Sequence, residues 1–432
     1  MNTTIQLSLI IAFVLFPTII RGSQVIYVQP EQIHLSLGVK SNQIVVTWTT
    51  FNSTIRSTVC YGIESMDQVA HGSQNEFIDD GTERRKLFIH RVYLNDLNAN
   101  TTYKYHVGST QGWSEIFTFH TFPMGHEWSP RFVVYGDLGN VNGRTLSRLQ
   151  DEIQSGNHDL VLHLGDFAYD LHDDNGRMGD QFMRQIEPIA AYVPYQVLPG
   201  NHDNAYNFSH YNNRFTMHSE GDNVTNNHFW SYNIGPVHLI AFSTEFLYYT
   251  KYGKQQIRNQ FDWLEHDLIE ANRPENRAIR PWIVTAGHRA IYTQRYVNTV
   301  VKNGNEFGPG FEELFFKYGV DLELWGHEHI YERIWPIYNG TVFNGTNDNA
   351  YYNPRAPVHV TTGSAGCILL PPKILQRRPE FSAFASNDYT FTQMHVINGT
   401  HIQLQQVSDN QNGQIIDQIY LIKDNHGTYE FK

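Results

Sequence analysis

The chain has 432 residues, 41% of them hydrophobic and 14% aromatic, which allows two domains with sizeable buried cores and excludes an extended disordered protein. Its formal net charge of −12 argues against nucleic acid or an anionic membrane surface as a partner. A small anionic substrate is compatible with this charge, because bound cations would dominate the field in its site.

Residues 1–22 resemble a secretory signal peptide. Residues 5–20 are mostly apolar, and small residues follow Arg21, as at a cleavage site. A membrane anchor needs about 20 continuous apolar residues, whereas Gln6 and Pro17 interrupt this stretch. We therefore expect an exported protein, extracellular or alternatively lysosomal, whose net charge becomes about −13 once Arg21 is removed.

Sequons for N-glycosylation are dense along the chain, as export would require. Their asparagines should lie on the surface, since an attached glycan needs solvent around it. We predict glycosylation at seven positions: Asn52, Asn100, Asn207, Asn223, Asn339, Asn344 and Asn398.

The two cysteines, Cys60 and Cys367, fall in different predicted domains. With so few cysteines the chain is no disulfide scaffold. One interdomain disulfide and two buried free thiols are both compatible with the sequence, and we favour the free thiols.

The pattern of residues 24–123 predicts an all-β sandwich. Seven short strand-like runs, beginning with residues 25–28, are separated by turn residues, and Trp48 is the expected core aromatic. The segment Leu97–Tyr103 resembles the tyrosine corner of fibronectin type III domains, in which Tyr103 hydrogen-bonds back to the backbone upstream. This region has no acid–base or ligand constellation, which indicates a structural or docking module.

Residues 130–432 alternate strand-like runs with helical patterns, which predicts an α/β domain in which helices flank a two-sheet sandwich. Apolar residues recur at helical spacing from Leu146, from Ile257 and from Phe311. The region 221–245 has the pattern of a β-hairpin that feeds a second buried sheet.

Five strand-like runs in this domain each lead through a glycine to oxygen or nitrogen ligands. In chain order they deliver Asp137, Asp166 with Tyr169, Asn201 with His202, His288, and His327 with His329. Because open α/β sheets place their chemistry at the carboxyl ends of strands, we expect these side chains to meet in one site.

Asp, Asn, His and Tyr ligands without cysteine suit Fe, Mn, Mg or Zn. In GHEH, His327 and His329 share one face of an extended segment, roughly 6.6 Å apart. Each could therefore bind one of two ions that lie about 3.5–4 Å apart. Asp166, whose two carboxylate oxygens could bridge such a pair, is our candidate for the shared ligand.

The order and identity of these motifs resemble the metallophosphoesterase superfamily, and Tyr169, three residues after Asp166, resembles the purple acid phosphatases within it. The front domain and the late GSAGC and FASNDYTFTQMHVINGTH segments are similar to the long animal form of that family. The resemblance covers nearly the whole mature chain. It implies a fibronectin type III-like N-terminal domain at 24–123 and a calcineurin-like catalytic domain with the family's C-terminal segment at 130–432.

The resemblance also implies a binuclear Fe(III)–M(II) centre. The ferric ligands would be Asp137, Asp166, Tyr169 and His329, and those of the divalent Zn, Mn or Fe(II) ion would be Asp166, Asn201, His288 and His327. A phenolate favours a trivalent ion, which acidifies bound water enough for hydroxide to attack a phosphate monoester at acidic pH. The divalent ion would orient the phosphate and neutralise charge in the transition state.

His202 is the family's candidate for the group that protonates the leaving alcohol. After His288 the chain reads AGHRAIYTQ, with Ala290 where relatives usually have proline and with no further histidine before His327. Acid catalysis is therefore expected to depend on His202, while Arg289 or Tyr292 could line the pocket.

Four further side chains receive separate expectations. Asp203 would orient a neighbouring histidine. His163, inside a strand, should be a core residue or support a ligand. His210 and His218 are expected near the site mouth or on the surface, without assigned roles.

These observations predict a secreted acid phosphatase acting on small phosphorylated substrates, as a monomer or homodimer. One alternative keeps both metals but cleaves phosphodiesters or nucleotide pyrophosphates. A second is a secreted glycoprotein that binds partners and carries a vestigial site, which the intact ligand set argues against.

Overall fold

The computed structural model describes residues 27–222, 224–343, 350–367, 369 and 371–430. The predicted signal peptide and the sequon asparagines Asn223 and Asn344 lie outside these residues. Within the described ranges, no helix is both long enough and apolar enough to cross a membrane.

Eight strands form the N-terminal domain, and they join into one continuous sheet that wraps around a shared core. The strands are β1 (Glu31–Leu37), β2 (Ile44–Thr50), β3 (Ser57–Gly62), β4 (Gln68–Ile78), β5 (Lys86–Leu94), β6 (Thr102–Ser109), β7 (Gly112–Trp113) and β8 (Phe117–His120). The long strand β4 pairs with β3 through its first half and with β5 through its second half, so it belongs to both halves of the sheet.

Two sequence predictions for this domain are confirmed. Trp48 is buried in the core with 1% of its surface exposed. The Tyr103 hydroxyl accepts a hydrogen bond from the backbone N–H of Asn98 at 3.0 Å, as a tyrosine corner requires.

The predicted strand at residues 25–28 is wrong for its described part, because Tyr27 and Val28 form a helical turn. The sequence pattern also missed β4. Most residues of that strand are exposed on both faces, so it lacks the apolar alternation from which strands are predicted.

The C-terminal domain contains two seven-stranded sheets, which confirms the predicted two-sheet architecture. Their strands are β9 (Arg131–Tyr135), β10 (Leu160–His163), β11 (Tyr195–Val197), β12 (Trp230–Ile234), β13 (Val237–Ala241), β14 (Trp282–Arg289), β17 (Leu322–Gly326), β18 (Tyr331–Ile334), β21 (Ala350–Tyr352), β22 (Val358–Thr362), β23 (Ser382–Ser386), β24 (Thr390–Asn398), β25 (His401–Ser408) and β26 (Gln414–Ile422). The first sheet has the strand order β11-β10-β9-β24-β25-β26-β21, and the second has the order β12-β13-β14-β17-β22-β18-β23. Two short ribbons stand apart, β15 (Gly304–Asn305) with β16 (Gly308–Pro309), and β19 (Ile337–Tyr338) with β20 (Thr341–Val342).

Helices connect the strands and cover the sheets. They are α1 (Leu146–Gln154), α2 (Arg177–Ala190), α3 (Ala205–Arg214), α4 (Gln255–Ala271), α5 (Pro274–Ile279), α6 (Thr299–Asn303) and α7 (Glu312–Lys317). The three predicted helical patterns correspond to α1, α4 and α7, and the predicted hairpin is the antiparallel pair β12–β13.

Buried ionic contacts hold the two domains together. Asp180 on α2 accepts hydrogen bonds from Arg85 of the N-terminal domain at 2.7 Å and from Arg214 of α3 at 2.8 Å. His210 is also buried here, 2.7 Å from Asp79. The buried His218 lies 3.1 Å from the Tyr93 hydroxyl. The expectation that these two histidines lie at the site mouth or on the surface is therefore wrong.

Both cysteines are free: Cys60 is half-buried on β3, whereas Cys367 is buried close to the strand ends described below. The free-thiol alternative is therefore confirmed, and the interdomain disulfide is not formed.

Candidate metal centre

Five parallel strands from the two sheets end at one place. β9, β10 and β11 are neighbours in the first sheet, and β14 and β17 are neighbours in the second. Each strand runs into, or ends just before, predicted site residues. The carboxyl ends of parallel strands lie at one edge of a sheet, so two such edges meet here and bring the five motifs together.

The first cluster joins the ends of β9 and β10 with the segment after β17. The Tyr169 hydroxyl lies 2.9 Å from Asp137 Oδ1 and 2.9 Å from His329 Nε2. The latter two atoms are 3.4 Å apart. The three atoms face one another closely enough that together they could hold one metal ion.

The second cluster lies beside the first. The Nε2 atom of His288 is 3.2 Å from Asn201 Oδ1 and 3.4 Å from Asp166 Oδ2. Ligand atoms of Asp166, His288 and His327 all lie within 4.8 Å of one another. The backbone N–H of His327 donates to Asp137 Oδ2 at 2.9 Å, which links this cluster to the first.

The local backbone explains how these side chains converge. Four of the seven residues have left-handed backbone conformations that non-glycine residues adopt rarely, with φ of 61° at Asp137, 54° at Asp166, 51° at Tyr169 and 67° at His327. Such strain costs about 1–3 kcal/mol per residue and is concentrated at functional sites. Glycine is required at Gly200, because a Cβ there would lie 2.2 Å from Asp166 Oδ1.

Two of the histidines have their outer ring nitrogen occupied. His288 Nδ1 lies 2.7 Å from the carbonyl oxygen of Leu164, which fixes Nδ1 as a donor and directs Nε2 toward the cluster, where it could bind an ion in place of a proton. His329 Nδ1 lies 3.5 Å from the Cys367 thiol, a weaker partner. Orienting contacts of this kind are typical of metal-binding histidines.

The charges in the site call for cations. Burial opposes the charged form of His288 and His329, but the carboxylates of Asp166 and Asp137 outweigh it and raise the two pKa values to about 10 and about 11. Burial and the neighbouring His288 lower the pKa of His327. Positive charge beside the two buried carboxylates is therefore favoured, and metal ions bound in place of the protons would supply it.

The donor set fits metal ions. Carboxylate, phenol, amide and imidazole donors are the hard and borderline ligands that suit Fe, Mn and Zn. All seven residues predicted as ligands lie in the two clusters. They would hold one ion between Asp137, Tyr169 and His329 and a second near Asp166, Asn201, His288 and His327.

His202 stands at the open side of the first cluster, with its ring centroid 4.4 Å from that of Tyr169. Its Nδ1 atom is 2.9 Å from Asp170 Oδ1. Burial alone would lower the pKa of His202, but the Asp170 hydrogen bond and the Asp166 charge outweigh it and raise that pKa. The protonated ring is therefore favoured, as a proton donor requires.

Asp203 has a different task from the one predicted. Its Oδ2 atom accepts the backbone N–H groups of Asp166 at 3.0 Å and of Gly200 at 2.8 Å, so it fixes the two loops that deliver ligands. Asp170, rather than Asp203, orients His202. The sequence contained Asp170 in GDFAYD, but nothing in the motif indicated its partner.

The remaining sequence expectations are resolved by burial. His163 is a core residue, bonded to the Tyr195 hydroxyl at 2.7 Å. Tyr292 is buried against Glu312 and does not line the cleft. Arg289 does line it, with its Nη1 atom 3.1 Å from His327 Nε2.

Family models match this chain in order along its length. The purple acid phosphatase N-terminal domain matches residues 30–121, the calcineurin-like phosphoesterase 130–331, and the iron/zinc purple acid phosphatase-like protein C 356–418. The fold and the paired clusters at its strand ends thus define a calcineurin-like phosphoesterase.

Similar proteins narrow the class. The chain is 49% identical to the acid phosphatase type 7 of Danio rerio over 414 residues, 92% of each chain, and 47% identical to that of Homo sapiens over 406 residues, 91% of each. The solved purple acid phosphatase PPD1 from yellow lupin (Lupinus luteus) seeds has a TM-score of 0.77 at 21% identity, over 92% of this chain and 75% of that one. The chain belongs to the purple acid phosphatase family, whose members depend on a binuclear metal centre, and it is an acid phosphatase enzyme.

The position of Asp203 leads to a testable prediction. Asp203→Ala would leave two buried backbone N–H groups unpaired, so we expect unfolding to become easier by about 3 kcal/mol. The affinity of the site for metal should fall roughly 10- to 100-fold, the usual effect of losing a contact that orients the ligands. Thermal unfolding and elemental analysis of the purified variant measure the two effects.

Asp203→Asn is the matched control, because its amide oxygen can still accept both N–H groups, and it should remain close to the wild type. An alanine variant with unchanged melting temperature and metal content would show that Asp203 does not support these loops.

Proposed function

We propose that this acid phosphatase is exported and hydrolyses phosphate monoesters at acidic pH, with Fe(III) in the Tyr169 cluster and Zn, Mn or Fe(II) in the His288 cluster. The observation that carries the proposal is the Tyr169 hydroxyl, 2.9 Å from both a carboxylate oxygen and an imidazole nitrogen.

The electrostatics of Tyr169 support a trivalent ion in that cluster. Burial and the Asp137 charge raise the pKa of the phenol, so a phenolate forms there only beside a strong positive charge. A trivalent ion offsets burial and the carboxylate better than a divalent one. The other cluster offers an amide oxygen and imidazoles around the shared Asp166, a set that suits a divalent ion.

Two ions bound in these clusters would activate water at acidic pH and neutralise charge on the phosphoryl group during in-line displacement. The residues of the chain complete the reaction. Asp166 would hold both positions at a fixed separation, while Leu164 and Asp203 keep His288 and the Asp166 loop in place. His202, held by Asp170, would give its proton to the oxygen of the leaving alcohol.

Tyr169→Phe tests the proposed centre. We expect the purified wild type to show a broad visible absorption band, arising from charge transfer between the phenolate and Fe(III), and to hydrolyse an aryl phosphate at acidic pH. The variant should lose the band and most of its activity. The measurement is a visible spectrum of each protein beside its metal content and its turnover of the aryl phosphate.

Tyr135→Phe is a suitable control, because that tyrosine is buried and paired with Tyr195 through its hydroxyl at 2.9 Å. It should keep the band. A colourless wild type that holds two metals and hydrolyses esters would disprove the ferric assignment.

His202→Asn tests proton donation. General acid catalysis contributes about 10²–10⁴-fold, so we expect kcat to fall within that range for an alkyl phosphate, whose leaving group needs a proton. The fall should be smaller for a nitrophenyl phosphate, whose leaving group departs without one. His172→Asn, at a half-exposed histidine two residues after Asp170, is the control and should leave kcat unchanged.

The pH profile gives a second measure of the same pair. Because Asp170 raises the pKa of His202, the acid form persists to higher pH, and kcat should decline only as pH rises through that pKa. Asp170→Asn removes the raising charge and should move this decline to lower pH. Equal losses for both leaving groups and an unmoved profile would contradict the role of His202.

Export is supported by the surface position of the sequons. The described sequon asparagines, Asn52, Asn100, Asn207, Asn339 and Asn398, are all exposed. On expression in animal cells from the full chain, we expect protein in the medium or in lysosomes whose mass falls on treatment with an N-glycanase. Unmodified protein in the cytosol would contradict this proposal.

A further inference from the structure

Arg289 is a charged residue beside the two clusters that the reaction described above does not use. It follows His288 directly, at the end of β14, and its Nη1 atom lies 3.1 Å from His327 Nε2. Its side chain is 15% exposed.

Contacts with two neighbouring side chains hold the Nε atom and one face of the guanidinium. Its Nε atom lies 2.9 and 3.1 Å from the two oxygens of Glu245, which is fully buried. Its central carbon is 4.3 Å from the centroid of the Tyr248 ring. The Tyr248 hydroxyl donates to Asn298 at 2.7 Å. Because Glu245 occupies Nε, the terminal nitrogens are the donors left to face the cleft.

The contact with His327 shows where those donors point. An ion on His327 Nε2 would take the lone pair that now accepts from Arg289. The terminal part of the guanidinium would then have to turn about its Nε contact with Glu245, and its freed N–H groups would face an oxygen atom next to that ion. A guanidinium presents parallel donors that match phosphate oxygens, and it stays charged at any pH at which the enzyme works. Arg289 contacts His327 of the second cluster, whereas His202 lies beside Tyr169 of the first, so a phosphoryl group held by both clusters could meet both donors.

We propose that Arg289 binds non-bridging phosphoryl oxygens of the substrate and thereby makes the pocket prefer phosphate monoesters over diesters. A monoester presents three non-ester oxygens, whereas a diester presents two and places its second ester group against Arg289 or His202. This inference rests on the proposed phosphomonoesterase function. Glu245 and Tyr248 are positioning residues that act through Arg289.

The test compares Arg289→Gln with the wild type, both loaded with metal. Removing a charged hydrogen bond should weaken binding of inorganic phosphate about 10- to 100-fold, measured by titration calorimetry. The KM for an aryl phosphate should rise by a similar factor with a smaller change in kcat, and the preference for that monoester over a bis-aryl phosphate should shrink. Arg289→Lys should recover part of the phosphate affinity.

Arg295→Gln is the matched control. Arg295 lies six residues further along the same loop, is exposed, and donates to the carbonyl oxygen of Lys373 at 3.2 Å. Its replacement should leave phosphate affinity and KM unchanged. The two variants thus differ in whether the lost guanidinium faces the cleft.

Arg289→Gln leaves Glu245 buried without its partner, which could prevent folding. The double variant Arg289→Gln with Glu245→Gln removes both charges, and it should fold and show the same loss of phosphate affinity. Unchanged phosphate affinity in a folded, metal-loaded variant would overturn the proposal. Loss of the bound ions from that variant would overturn it too, since Arg289 would then act on the metal centre.

Failure of the inference can be told apart from failure of the proposed function. A wild type that does not hydrolyse aryl phosphates contradicts the proposed function, while the calorimetric comparison still reports whether Arg289 binds phosphate. A wild type that hydrolyses them, with an Arg289→Gln variant that is indistinguishable from it, contradicts the inference alone.

Discussion

Two buried carboxylates close to each other determine what the centre of this protein must contain. Asp137 and Asp166 are almost completely buried, and their charges raise the pKa values of His288 and His329. A buried anion without a cation would cost several kcal/mol. Strained backbone, close glycine contacts and oriented imidazoles all hold this arrangement, so the surrounding structure is best understood as a support for concentrated negative charge.

Much of the site was predictable from the sequence, because the ligand residues occur at a fixed place in each motif, directly after a strand and a glycine. Each motif combines a buried strand, a glycine and a ligand such as Asp137 or His288, and the parallel strands then bring the motifs to one edge. What the sequence could not supply were contacts between residues remote in the chain. Asp170 meets His202, Glu245 meets Arg289, and no local pattern encodes either pair.

The same reasoning explains the errors in the N-terminal domain and at the domain contact. Strand β4 was missed because both of its faces are largely exposed, so backbone pairing rather than burial defines it. His210 was expected near the site mouth or on the surface, yet it is buried against Asp79 of the other domain. When the two domains pack together, polar surface residues become buried, and the local sequence does not indicate which residues these are.

Ionic contacts hold the N-terminal domain against the C-terminal domain. Asp180 is shared by Arg85 and Arg214, one from each domain. Burial would raise the pKa of Asp180, but the two arginines lower it, so this ionic contact remains charged under acidic conditions. The docking of the domains is thereby compatible with the acidic pH at which the enzyme is proposed to work.

The first cluster joins positions that are distant along the chain, with Tyr169 and His329 160 residues apart. An ion bound there would act as a reversible cross-link, closing a loop of that length much as a disulfide would. The chain has no such bridge, since both of its cysteines are free. The supply of metal ions where the protein folds would then affect how stable this fold is.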